Sequence, residues 1–522
     1  MSSYKQQFIF FLIAGWVFLV AITAVIFAEQ TEKAFPNYLA GIPTNRIDLT
    51  DKQQKKVRAI TKLTVNFSSP EKFETMQGGA GSSKKLINRD AFSHSSSNIT
   101  FDEEMKFKLG NALFRKLWVS SPSSTQASDG LGPLFNARSC QSCHIKDGRG
   151  HPPEGDSNST SMLVRLARSA ANDDEAQKLM SHSQLNFPDP IYGKQLQDLA
   201  VPGLKSEGRI SIAYEELPFQ LADGVVVSLR KPTYSITHLA YGSLHPKTTL
   251  SVRIASPMIG LGLIEAIHPA DIVSLADPDD LDGDGISGRV PLAYDPAMNE
   301  VILGRFGWKA QNTSIKAQSA AAFSGDIGIS TPEHPNSFGD CTTFQKACFT
   351  YPNGVQKHLG NTEASSNTLD LVTFYSQNLA VPIRRNVSDS EVLKGKKLFY
   401  ESGCVSCHNP KFVTRQDAEN KAHAFQLIWP YSDLLLHDMG EGLADGQTVG
   451  SASGSEWRTP PLWGIGLTKT VNNHTFFLHD GRARNLTEAI LWHGGEAQVA
   501  KTNFANLKKA KRESLIKFLE SL

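Results

Sequence analysis

Four of the six cysteines fall in two copies of one pattern, C-x-x-C-H: Cys140-Gln141-Ser142-Cys143-His144 and Cys404-Val405-Ser406-Cys407-His408. Two thiols at this spacing hold a porphyrin edge by thioether bonds, and the imidazole that follows is delivered to the iron as an axial ligand. The rival readings are a redox dithiol, which needs no histidine after its second cysteine, and half of a zinc site, which needs both halves to converge. Two copies, each with its histidine, point to two covalent c-type haems, with His144 and His408 as iron ligands.

Cys341 and Cys348 lie close together in a loop flanked by Pro and Gly and fit a structural disulfide; a redox-active pair is the lesser alternative, because no C-x-x-C spacing supports it. A third constellation is Asp280-Leu281-Asp282-Gly283-Asp284-Gly285, an oxygen-rich D-x-D-x-D-G turn suited to calcium. No Glu stands at its twelfth position, so a solvated acidic turn is an equal reading.

The elements that must position these groups repeat. Gly110-Asn-Ala-Leu-Phe114 precedes the first motif and Gly395-Lys-Lys-Leu-Phe399 the second, both with helical periodicity. The glycine permits close crossing with another helix, while Leu and Phe cover a haem edge. Further on, Arg230-Lys231-Pro232 is echoed by Arg458-Thr459-Pro460, and Phe306–Ala317 (FGWKAQNTSIKA) loosely by Phe477–Glu488 (FLHDGRARNLTE). A break falls near Val381-Pro382-Ile383, with a new helix from Ser388. The expectation is a mainly α protein with two cytochrome c-like haem domains, residues 101–385, enlarged by insertions, and 386–522.

With 53 Lys+Arg against 52 Asp+Glu the net charge is +1, which gives no reason to expect nucleic acid. Phe8 to Ala28 is a run of 21 residues without charge, long enough to cross a bilayer and longer than the core of most cleaved signals. A retained anchor is expected, placing the rest in the periplasm and fixing it to the inner membrane. Cleavage after Ala28 is the alternative, which Ile26 disfavours. Residues 29–100, with Ser-rich patches, read as a spacer, unless part of them orders against the body.

Three strings carry a resemblance: Leu131-Gly-Pro-Leu-Phe-Asn-Ala-Arg138-Ser-Cys140, Arg305-Phe-Gly-Trp308-Lys-Ala-Gln311 and Phe477-Leu-His479-Asp-Gly-Arg-Ala-Arg-Asn485. They resemble the bacterial di-haem oxidoreductase family, whose members are labelled peroxidases or thiol oxidoreductases. That family is similar to the di-haem cytochrome c peroxidases and to the di-haem enzyme that matures the quinone cofactor of methylamine dehydrogenase. The resemblance implies electron entry at the C-terminal haem and peroxide binding on the open face of the N-terminal one. It puts His493, about four helical turns beyond the F-x-H-D-G string, at the second axial position of the C-terminal haem, where the peroxidases have methionine and the cofactor-maturing enzyme tyrosine. A histidine pair would lower that haem's potential.

The same resemblance implies Trp308 as the ring between the haems, Gln318 as the active-site glutamine and Asp326 as the distal acid/base in place of a glutamate, with Glu265 in reserve. A plain core role is the competing reading of Trp308, and a surface role that of His493. His151, seven residues after His144, is the nearest candidate for a second ligand of the first haem, equally suited to the surface.

The implied activity is reduction of hydrogen peroxide with electrons from a small redox protein or a quinol. The competing functions are an oxidase of an organic or protein substrate, which needs the same irons, and a simple electron carrier, which the size of the first half disfavours. Thiol chemistry at the four motif cysteines conflicts with haem attachment.

Overall fold

The glycine of each G-x-x-L-F string sits where two helices cross. In the computed structural model, which describes residues 39, 41–125, 128–153, 161–182, 184–358 and 360–522, Gly110 lies on the helix Phe101–Arg115 and Gly395 on the helix Ser390–Glu401. A Cβ at Gly110 would run into the Leu371 carbonyl and Tyr375, and one at Gly395 into the Ser514 carbonyl and Phe518. The partner helices are Ser366–Gln377 and Lys509–Ser521. Thr100 and Glu103 close a capping box at the start of the first, and Asp389 accepts from the amides of Glu391 and Val392 at the start of the second.

Aromatic packing repeats with the helices. Phe114 lies 5.1 Å from Tyr375 at 47° and 6.2 Å from His144. Phe399 lies 5.1 Å from Phe518 at 47° and 6.1 Å from His408. The two motif histidines are therefore set against equivalent rings on equivalent helix pairs.

The expectation of a mainly α protein is corrected: 31% of the chain is helical and 17% is strand, the strands among the described residues forming seven two-stranded sheets. The insertions of the first half supply most of this. Arg209–Gln220 and Val226–Thr237 pair antiparallel over twelve residues each, and Met162–Arg168 pairs with Thr248–Ile254. Ile210, Ile212, Leu217 and Phe219 face Ile236, Tyr234, Leu229 and Val227 across the hairpin; such alternation is the signature of a half-buried ribbon. Reading Arg230-Lys-Pro232 as an echo of Arg458-Thr-Pro460 hid it, because Arg230 is mid-strand in this ribbon whereas Arg458 ends a three-residue strand.

Pro43–Leu522 is one compact unit that contains both repeats. The ribbon crosses onto the C-terminal half, where Arg230 donates to the carbonyls of Gly481 and Arg482, Tyr234 to Asp480, and Arg512 to Asp223. Residues 43–100 belong to this unit as well. Its helix Asp51–Thr61 buries Val57 with Val413, and Glu74 is buried between Arg384 and Lys396. The stretch 381–383 is pinned there too, the Ser83 amide donating to the Val381 carbonyl and the Ile383 amide to that of Ser83.

The apolar run Phe8–Ala28 lies outside the described residues. Among the described residues no helix is long and apolar enough to cross a membrane.

Candidate functional site

Cys404, Cys407, His408 and His493 line one cavity of about 360 Å³, walled by Phe399, Leu443, Leu486, Ile490 and Leu515. His408 Nδ1 stands 2.9 Å from the Tyr431 carbonyl and His493 Nδ1 2.8 Å from that of Ala489. A carbonyl only accepts, so Nδ1 carries the proton in both rings and each Nε2 keeps its lone pair. Burial pushes His408 down to about 4, helped by the His493 ring, and burial also lowers His493, so both are neutral and able to ligate. The interval from His479 to His493 is not one helix; a turn through Arg484 leads into the short helix Leu486–Leu491.

The loops around the second and third strings are built alike. Phe306 pairs with Asn312 and Phe477 with Ala483, each six residues on. Ser314 and Asn485, eight residues after the phenylalanine, cap the helices Ile315–Ala322 and Leu486–Leu491 by accepting from the amides of Ala317 and Glu488. By this register Trp308 corresponds to His479, and His493, sixteen residues after Phe477, corresponds to Ala322. The second site has an imidazole where the first has a methyl group.

At the first motif Cys140 and Cys143 occupy a single helical turn, and His144 Nδ1 lies 2.8 Å from the Ser256 carbonyl, again leaving Nε2 free. Burial lowers the His144 pKa, and Asp326 is the carboxylate it feels; Asp326 also acts on Cys140 and Cys143. Its Oδ1 accepts from Gln195 Nε2 at 2.9 Å and lies 3.9 Å from Arg165. Its backbone carbonyl accepts from the amides of Asn136 and Ala137, so the Leu131–Arg138 string folds against it. Asn136 passes the network to Asp198, 2.9 Å away, whose carboxyl burial raises to about 6. Gln195 Oε1 and Gln197 Oε1 are buried without a hydrogen-bond partner.

The remaining expected site residues fall elsewhere. Gln318 Oε1 accepts from Asn312. Glu265 is fixed by Gln377 and by the Ile315 amide, which gives it a positioning role at a helix start. His151 packs its ring on His474, 5.1 Å away. Trp308 donates from Nε1 to the Ile254 carbonyl at 2.9 Å, with the Arg149 guanidinium 5.7 Å over its ring, and lines the second-site cavity. Cys341 and Cys348 form a disulfide. Asp280, Asp282 and Asp284 converge within 4.8 Å, with Asp280 and Asp284 turned onto the amides of Gly285 and Ile286.

None of the four motif cysteines is bound in a disulfide, and burial pushes Cys140 and Cys404 up to about 12, which keeps them as neutral thiols. Residues 74–522 match the family described as "di-haem oxidoreductase, putative peroxidase". The chain belongs to this family. No curated protein matches it. The donor sets fit the haems that the family name implies: two pairs of cysteine thiols outside any disulfide, each pair beside a neutral imidazole whose Nε2 is left to ligate.

Sequence reasoning missed Gln195, Asn136, Asp198 and Arg165 in this di-haem oxidoreductase. Asn136 carried a signal, since it stands four residues before Cys140 inside a matched string. Gln195 and Arg165 lie in the strand-rich insertion, which carried none.

Proposed function

We propose that the protein is a periplasmic di-haem c-type peroxidase, anchored through residues 8–28, that receives electrons at the C-terminal site and reduces hydrogen peroxide at the N-terminal one. The carrying observation is the asymmetry of the repeat: His408 is faced by His493 across one cavity, while the matching position of the first half is Ala322. Cys140, Cys143 and His144 would hold one haem; Cys404, Cys407, His408 and His493 would hold the other. When bound, the haems supply one-electron carriers and an iron that takes a peroxide oxygen.

The chain's own residues supply the proton chemistry. Splitting O–O heterolytically requires a proton moved from the near oxygen to the far one, and a positioned carboxylate performs that transfer. Asp326, held at Oδ1 by Gln195, is the carboxylate whose charge acts on His144 and on Cys140 and Cys143. The unpartnered oxygens of Gln195 and Gln197 accept O–H bonds of peroxide or water. Gln318 keeps the role that the resemblance implies only if its bond to Asn312 opens.

Pyridine haemochrome analysis should give two covalent haems per chain. The half-reduced protein should show a high-spin signal and turn over peroxide with a reduced donor. Two low-spin irons in every redox state would reduce the assignment to an electron carrier.

A further inference from the structure

A second cavity, of about 430 Å³, lies on the other side of His479 from the C-terminal haem site. It is roofed by the ribbon and floored by the C-terminal half; Tyr234, Leu250, Glu441, His479, Arg482 and Trp492 are among its walls. His479 lines both cavities, so a single imidazole separates them. That ring is stacked on Trp457 at 3.8 Å and 12°, and Trp457 lines the haem-site cavity.

The lining is specific about what it would accept. Trp492 is buried and its Nε1 donor has no partner, which leaves one N–H waiting for an oxygen. Tyr234 is fixed by its bond to Asp480, which Arg482 holds in turn. Leu217, Pro232, Leu250 and Val252 form an apolar side, and Lys231, Glu441 and Asp445 a charged one. The apolar side suits a small ring, while the indole N–H suits an oxygen on it and the carboxylates of the charged side suit its hydroxyl protons.

We infer that this cavity binds a small aromatic diol of the hydroquinone class, and that the diol is the electron donor of the C-terminal site. This rests on the reading that electrons enter there. Oxidation breaks two O–H bonds, sends two electrons to the two ferric haems, one each, and releases two protons. The first proton passes to the neutral imidazole of His479 and on to water, and the second follows it. Burial holds His479 down to about 4, against the nearby Asp480, so the ring is neutral and passes a proton on to water rather than holding it.

The holoprotein tests this in two ways. Calorimetry with resorcinol, a diol that forms no quinone, should show one saturable site, lost in Leu250→Trp, which fills the cavity, and weakened roughly tenfold in Trp492→Phe, which removes the donor. Anaerobic stopped-flow reduction by hydroquinone should saturate in the wild type and become linear and slow in Leu250→Trp, with dithionite reduction unchanged in all three proteins. Absent resorcinol binding, or equal hydroquinone rates in wild type and both variants, overturns the inference. Peroxide consumption by dithionite-reduced protein bypasses the cavity, so its failure with diol binding intact would sink the peroxidase reading alone.

Discussion

Trp308 and His479 stand at matching positions, each two residues after the phenylalanine that opens its loop, and their rings meet edge to face with centroids 6.5 Å apart at 75°. The two halves thus touch through equivalent residues at the wall of the C-terminal cavity. Arg149, five residues beyond His144, covers Trp308, and both line the C-terminal haem-site cavity, so the chain after the first motif reaches that cavity.

Trp308→Phe keeps an aromatic ring but removes the bond to the Ile254 carbonyl. If the indole carries electrons between the sites, transfer from the reduced C-terminal haem should slow about tenfold, equivalent to about 1.4 kcal/mol of barrier. Stopped-flow mixing of half-reduced protein with peroxide reads this directly. An unchanged rate makes Trp308 a core ring.

The His493/Ala322 correspondence gives a paired prediction. His493→Ala should convert the C-terminal low-spin signal to high-spin without loss of haem, as read by spin resonance. Ala322→His should do the reverse at the first site and abolish peroxide reduction. If both variants keep wild-type spectra, the register of the two loops has no bearing on ligation.

The strings that named the helices and the loop repeat were legible because they obey local rules: a glycine at a crossing, a cap eight residues after a buried phenylalanine. The hairpin was not read, because its period-two pattern was matched to a short echo elsewhere. Asp326 could be named from a string, but Gln195 could not: it reaches Asp326 from 131 residues away, bringing an insertion loop to a helix end. Contacts of that span depend on tertiary packing, which no local pattern encodes.

Asp326→Asn keeps the shape but removes the proton acceptor. Peroxide cleavage should fall by roughly 10²–10⁴ with haem content unchanged, the range for losing a positioned acid/base. Gln195→Ala removes the bond that orients Asp326 and should cost less, about tenfold. Equal rates in all three proteins would take this carboxylate out of the mechanism.

Glu74 ties the early segment to both Arg384, beside the junction of the halves, and Lys396, on the helix that leads to the second motif. Burial alone would raise its carboxyl; the two cations outweigh burial and hold it below the usual range. A depressed carboxylate stabilises the fold at pH above its unfolded value, near 4.5, and that contribution is lost as pH falls below it. Glu74→Gln leaves two buried cations short of a partner and should cost about 3 kcal/mol at neutral pH. Denaturant melts from pH 7 to pH 3 should show the gap between wild type and variant narrowing below about pH 4.5. A gap that stays constant to pH 3 would mean that Glu74 holds this junction by shape rather than by charge.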